Sequence, residues 1–126
     1  MIRVFVVDDH PVLRSGLEAV LRAEPGFSCV GTAADGAGLE RAVARARPTV
    51  VVLDRHLAGE DGLDLCRALR AQPLAPAVVL YTADDAASAG PEALAAGAHA
   101  VVEKASGVDV LFDAIRLAAR AYGVRS

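Results

Sequence analysis

No apolar run in the chain exceeds five residues, the longest being 77–81. A membrane-spanning helix needs roughly 18 or more, and positions 1–30 lack the basic start and long apolar stretch of a secretory signal. Basic charge is also short, since 13 Lys and Arg against 16 Asp and Glu leave a formal charge of −3. A free-standing nucleic-acid binder carries a basic surplus or stripe, so that class is set aside. The two cysteines, Cys29 and Cys66, match no metal-ligand spacing. They read as small buried apolar side chains with free thiols, which implies a cytoplasmic protein. With five aromatic residues in all, the 54% hydrophobic content is carried by 27 alanines. Lysine is scarcer still: twelve of the thirteen basic residues are Arg, and Lys104 stands alone.

What is present is an alternation. Short apolar runs at Ile2–Val7, Phe27–Thr32, Thr49–Leu53, Ala77–Tyr81 and Ala100–Glu103 read as strands. They are continuously apolar, as strands covered on both faces of a parallel sheet must be. Between them lie segments of helical period. Leu13, Leu17, Val20 and Leu21 share one face, with Pro11 suited to the first turn and Glu18 paired to Arg22 on another face. Leu39, Val43 and Ala46 mark a second helix, and Leu65 and Leu69 a third that ends before Pro73. Val108, Leu111, Phe112, Ile115 and Ala119 mark the last, with Ser106 or Gly107 at its start. The fourth is poor in large apolar residues, and Pro91 is expected to begin it. Five strand–helix units in 126 residues, one domain's length, specify an open doubly wound α/β fold with a parallel sheet.

Such sheets bind ligands beyond the carboxyl ends of their strands. Four of the five ends deliver polar groups: Asp8-Asp9, Asp54, Thr82 and Lys104. Aspartate after a strand also serves ordinary turns and caps, and Asp9 is placed to cap the first helix. Three carboxylates brought together repel one another and call for a cation. A hard divalent ion such as Mg²⁺ meets that need with carboxylates, waters and a phosphate oxygen. An oxygen-rich set without a histidine pair on one face argues against zinc, despite His10 and His56. An ammonium and a hydroxyl beside the metal complete a receptor for phosphoryl, with a carboxylate as nucleophile.

The stretches Val6-Val7-Asp8-Asp9-His10-Pro11, Val52-Leu53-Asp54, Asp61-Gly62, Tyr81-Thr82-Ala83 and Glu103-Lys104 resemble the receiver domain of two-component response regulators. The resemblance covers residues 2 to about 121. It implies a flavodoxin-like, doubly wound sheet of five parallel strands in the order 2-1-3-4-5, flanked by five helices. It further implies that Asp54 accepts phosphoryl from a histidine kinase. Asp8, Asp9, Asp54 and the backbone carbonyl of His56 would hold Mg²⁺, while Thr82 and Lys104 would bind the phosphate. The chain would then be a signalling switch rather than an enzyme with a separate substrate. The opening Asp-Asp-His-Pro, with Arg14-Ser15-Gly16-Leu17, is similar to the branch that carries a C-terminal helix-turn-helix output domain. Transcriptional regulation would follow, with DNA reached only through that further domain.

Three positions depart from the family pattern. Ala58 stands where Pro is frequent four residues after the acceptor, and Ala105 where Pro frequently follows the lysine in a cis bond. Val101 replaces the aromatic residue whose rotamer often switches with the threonine, so a signal would travel through backbone movement in the soft 84–90 segment. These departures keep open a second reading, a pseudo-receiver that binds partners without phosphorylation. A haloacid-dehalogenase-type phosphatase would carry Asp two residues after its nucleophile, where His56 stands. A flavodoxin-like carrier would need a neutral phosphate loop in place of Asp8-Asp9. Positions His56 and Asp84 would flank the path of an attacking water and tune the lifetime of a phosphorylated state. On the last helix, Val110, Ala114, Leu117 and Ala121 form a second apolar stripe suited to a homodimer or partner. The receiver is expected to span 1–121, and 122–126 to be a tail or the start of a linker to an output domain.

Overall fold

A computed structural model of the chain describes residues 1–125, with side chains to residue 121. The main sheet contains β1 (Ile2–Val7), β2 (Phe27–Ala33), β3 (Val50–Leu53), β4 (Ala77–Thr82) and β5 (Ala100–Glu103). All neighbours are parallel, in the order β2-β1-β3-β4-β5. Five helices connect or follow the strands: α1 (Pro11–Ala23), α2 (Leu39–Ala46), α3 (Gly62–Arg70), α4 (Ala86–Ala95) and α5 (Val108–Arg125). The expected architecture and strand order are the observed ones. The α5 backbone continues to Arg125, while the expected tail at 122–126 lies outside the described side chains.

The strands are largely apolar, β3 at every position, because alternate side chains enter two cores. Val4, Val6, Val50, Val52, Val79 and Tyr81 pack with Leu17 and Leu21 of α1 and Leu111 and Ile115 of α5. Phe5, Val7, Val51, Leu53, Val78 and Leu80 face the other way, onto Leu39, Val43, Leu63, Cys66 and Leu69. The pairing of β1 with β2 slips between Val4 and Phe5. Gly31 accommodates this, since a Cβ there would lie 2.5 Å from the Phe5 ring.

Two local expectations are corrected. Asp9 does not cap α1, because Pro11 is the first helical residue and the cap position falls to His10, which makes no side-chain cap bond. Asp9 Oδ2 instead accepts the Ala58 N–H at 2.9 Å. Pro91 lies inside α4 rather than at its start. Asp85 begins that helix, its side chain accepting the Ala87 N–H at 2.9 Å. The proline is tolerated because Gly90 before it has no Cβ to meet the pyrrolidine ring. The Lys104–Ala105 bond is trans, like every peptide bond described. Cys66 is buried, whereas Cys29 is only half-buried. Among the described residues no helix is long and apolar enough to cross a membrane.

Candidate functional site

The sheet topology assembles the site. Val7 and Leu53 are register partners on adjacent strands, so the residues that follow them, Asp8 and Asp54, leave the sheet side by side. Their backbones are pinned there: the Asp8 N–H bonds Ala33 O and the Asp54 N–H bonds Val7 O, both at 3.0 Å. Gly62, at the start of α3, packs directly on this turn. A Cβ at position 62 would meet the Asp54 carbonyl oxygen and lie 2.7 Å from Arg55 Cα. That requirement gives the Asp61-Gly62 pair a structural meaning, reinforced by Asp61 capping α3 through the Leu63 N–H at 2.9 Å. A short antiparallel ladder between His56–Leu57 and Glu60–Asp61, not foreseen in the sequence, holds the intervening turn.

Among the described residues, the buried polar or charged ones are Asp8, Asp54 and Thr82, 2%, 3% and 0% exposed. Burying such groups is unfavourable unless they are partnered, and all three meet at this edge. Lys104 opens a short 3₁₀ turn after β5 and reaches back over the sheet edge. Its Nζ lies 3.1 Å from Asp8 Oδ2 and 3.1 Å from Asp54 Oδ2. Asp8 Oδ1 accepts the His10 N–H at 2.8 Å and lies 2.8 Å from the His10 ring Nδ1. Asp54 Oδ1 accepts the His56 N–H at 3.2 Å. Thr82 Oγ1 accepts the Asp84 N–H at 3.1 Å, which leaves its hydroxyl hydrogen free to donate.

Burial pushes the Asp8 carboxyl up, but the His10 N–H, the His10 ring and the Lys104 ammonium oppose it and hold the group below the usual carboxylate value. Lys104 answers in kind. Burial works against its charge, yet hydrogen bonding and attraction to Asp8 and Asp54 keep its pKa above that of an ordinary lysine. The electrostatics are those of an acidic cluster offset in part by one ammonium.

Asp8, Asp9, His10 and Asp54 each offer a donor atom, all within 4.8 Å of one another. Asp9 Oδ1 is buried with no hydrogen-bond partner, and His10 Nδ1 stands 3.3 Å from it and 3.8 Å from Asp54 Oδ2. An orphaned carboxylate oxygen in a cluster of three carboxylates fits a hard divalent cation. His10 was weighed in the sequence only as a zinc ligand. Here its ring nitrogen approaches all three carboxylates, and the signal was its place directly after Asp8-Asp9.

Two contacts frame the cluster. His56 Nε2 and Asp84 Oδ2 approach to 2.5 Å between exposed side chains. Arg55, next to Asp54, bonds Glu92 of α4 at 2.7 Å and so joins the site to that helix. The sequence offered no spacing from which the second contact could be read. Val101 is half-buried among the aliphatic side chains of the second core, and a valine there has no ring to swing.

The model of the response regulator receiver domain matches residues 4–116. The chain belongs to this family. The receiver is 36% identical over 118 residues to the nitrate/nitrite response regulator protein NarP of Escherichia coli, covering 94% of this chain and 55% of that protein. It is 41% identical over 107 residues to the DNA-binding transcriptional activator DevR/DosR of Mycobacterium tuberculosis, covering 82% and 48%. It thus spans about half the length of these relatives. It is also 42% identical over 106 residues to a protein-glutamate methylesterase of Anaeromyxobacter dehalogenans, covering 83% of this chain and 30% of that protein. Among solved structures, a LuxR-family two-component response regulator from Aurantimonas superposes with a TM-score of 0.89 at 30% identity, covering 96% of the receiver and 86% of that chain. Proteins named as regulators and as a methylesterase therefore share this sequence pattern, and a transcriptional activator is among them.

Proposed function

We propose that this receiver is a phosphorylation-operated switch in which Asp54 takes a phosphoryl group from the phosphohistidine of a partner kinase. The observation that carries the reading is the convergence of Asp8, Asp54, Thr82 and Lys104, buried or largely so, at one sheet edge. An Asp54 carboxylate oxygen attacks phosphorus, forming the acyl phosphate O–P bond as the N–P bond to histidine breaks. The imidazole leaves with the bonding electron pair and is protonated by solvent. The Lys104 ammonium, already in contact with Asp54, neutralises charge on the incoming phosphoryl oxygens, and the Thr82 hydroxyl donates to one of them.

Asp8, Asp9, Asp54 and the His56 backbone carbonyl are the groups that would hold Mg²⁺, which when bound neutralises charge shared between carboxylate and phosphoryl oxygens. The orphaned Asp9 oxygen supports this assignment. His56 and Asp84, in contact across the mouth of the cluster, are positioned to govern how water reaches the acyl phosphate and so its lifetime. The state of Asp54 reaches the surface through the Arg55–Glu92 tie and α4, in the absence of an aromatic switch at Val101. In the whole regulator the output is transcriptional, through a DNA-binding domain beyond this chain, as the DevR/DosR likeness supports. Val110 and Leu117, exposed on α5, supply a face for a homodimer, although Ala114 of that stripe packs partly against the core.

Incubation with acetyl phosphate and Mg²⁺, read by intact mass, tests the switch. The native chain gains one phosphoryl group, and both Asp54→Asn and native chain in excess chelator gain none. A native chain that stays unmodified under all conditions would instead identify a pseudo-receiver.

A further inference from the structure

At the opposite edge of the sheet, where β3 and β4 begin, three features coincide that neither the fold nor the acidic cluster requires. The first is Arg47. It is the non-glycine residue with positive φ among the described residues, at φ 50° and ψ 57°. The left-handed turn that ends a helix belongs by preference to glycine, and a side chain there is held at a cost. Arg3 explains the turn itself, donating to Ala46 O at 2.6 Å and to Arg47 O at 3.2 Å. It does not explain why an arginine occupies it.

The second feature is Leu74, 70% exposed in the 71–76 loop. Mobility does not account for that exposure. Pro73 and Pro76 restrict the loop backbone, Gln72 Nε2 donates to Glu40 O at 2.8 Å, and Arg70 donates to Pro76 O at 2.9 Å. A large apolar side chain is thus held out in water by a braced loop. Beneath it lies the third feature, an open cavity of about 300 Å³ lined by Val43, Ala44, Arg47, Gln72, Pro73 and Leu74.

Charge selects the occupant. The guanidinium groups of Arg41, Arg45 and Arg47 are exposed and hold no hydrogen bond or ion pair among the described residues, against one carboxylate, Glu40, on the same helix. An apolar slot lined by Arg47, at the end of a helix that carries two further unpaired cations, is complementary to carboxylates flanking an apolar side chain. Nucleic acid would answer the charge but leave the exposed Ala44, Pro73 and Leu74 uncovered.

We propose that the groove between the end of α2 and the 71–76 loop docks an acidic protein segment through one aliphatic or aromatic anchor residue. The anchor enters the cavity under Leu74, and neighbouring Asp or Glu side chains pair with Arg47 and Arg41. This surface is separate from the Asp54 cluster, and its use does not depend on phosphorylation.

Panning a displayed library of random dodecapeptides on the whole chain, with Leu74→Ser as counter-selection, tests the proposal. Enriched peptides should carry an aliphatic or aromatic residue flanked by Asp or Glu. Their synthetic forms should bind about tenfold more weakly to Arg47→Gly and to Leu74→Ser, and equally well to Asp54→Asn. Arg47→Gly keeps the turn comfortable and should raise the melting temperature while binding falls, a split that a purely structural arginine would not produce. Phosphoryl uptake should be unchanged in both groove variants, so a failure here is distinguishable from a failure of the switch. The proposal is overturned if no pool is enriched, if enriched peptides are basic, or if they bind the variants as tightly as the native chain. It is equally overturned if Leu74→Ser abolishes only self-association or only binding to phosphatidylserine vesicles.

Discussion

Lys104 shows what one residue contributes when the rest of its class is arginine. Its ammonium lies 3.1 Å from both Asp8 and Asp54, a compact charge where a planar guanidinium would need a wider space. Two linkage consequences follow. The Asp8 pKa is depressed, so its contribution to stability is present above about pH 4 and is lost as pH falls through the folded value. The Lys104 pKa is raised, so its contribution is fully present below about pH 10 and is lost as pH rises through the folded value. Removing the ammonium in Lys104→Ala weakens the first effect. Burial of Asp8 is then opposed by His10 alone, and its pKa rises relative to the native chain. The gap between the urea midpoints of the native chain and Lys104→Ala in chelator should therefore narrow as pH falls from about 7 through about 4. Parallel midpoints in the two proteins would show that the contact carries no such weight. Asp8, Asp9, Asp54, Thr82 and Lys104 were legible because a strand end fixes where a residue lies in a parallel sheet. The partner of Asp9 was not, because Ala58 lies 49 positions away and offers only its backbone N–H.

Among the helices, α4 buries no large side chain, and the Arg55–Glu92 bond ties it to the residue beside Asp54. Only Ala89 and Ala93 on it are buried, while Leu94 stands 62% exposed. Its interior proline leaves the Ala87 carbonyl without a partner four residues on. A helix held by small contacts, a cap at Asp85 and the Arg55–Glu92 bond is suited to shift when the residue beside Arg55 changes charge. Pro91→Ala restores the missing bond and should stabilise the chain by about 1 kcal/mol, less than the full interior-proline penalty because Gly90 already relieves the clash. Amide exchange within 86–95 should slow, with exchange in α5 unchanged. Unaltered exchange in α4 would place its weakness elsewhere. Sequence pattern located this helix but misplaced its start, since proline at a first turn is the commoner arrangement and the compensating glycine acts only through geometry. The Arg55–Glu92 tie was illegible for a related reason: the residues lie 37 positions apart, with no periodicity linking them.

Taken as a whole molecule, the receiver places two cores on either side of one sheet and its chemistry at one edge. The continuous apolar runs told both facts in advance, because only a two-faced sheet needs them and only its strand ends are free to be polar. The two cysteines report on that architecture. Cys66 is fully buried in the second core, and burial pushes its thiol up to about 11. Cys29 is half-buried on β2, its thiol also raised by burial. In a thiol-exchange assay at pH 8, Cys29 should react first and Cys66 only as fast as the second core opens, with a rate that tracks denaturant stability. Equal rates for the two would mean that this core opens locally.

The central claim, that the buried edge exists to carry phosphoryl on Asp54, is tested most directly by locating the group. Borohydride reduces an aspartyl acyl phosphate to homoserine and leaves free aspartate alone, so tandem mass spectrometry of the acetyl-phosphate-treated and reduced chain reads the acceptor by residue. Homoserine at position 54 alone, lost without Mg²⁺, is the predicted result. Homoserine at position 8 or 9, or at none of the three, would contradict it.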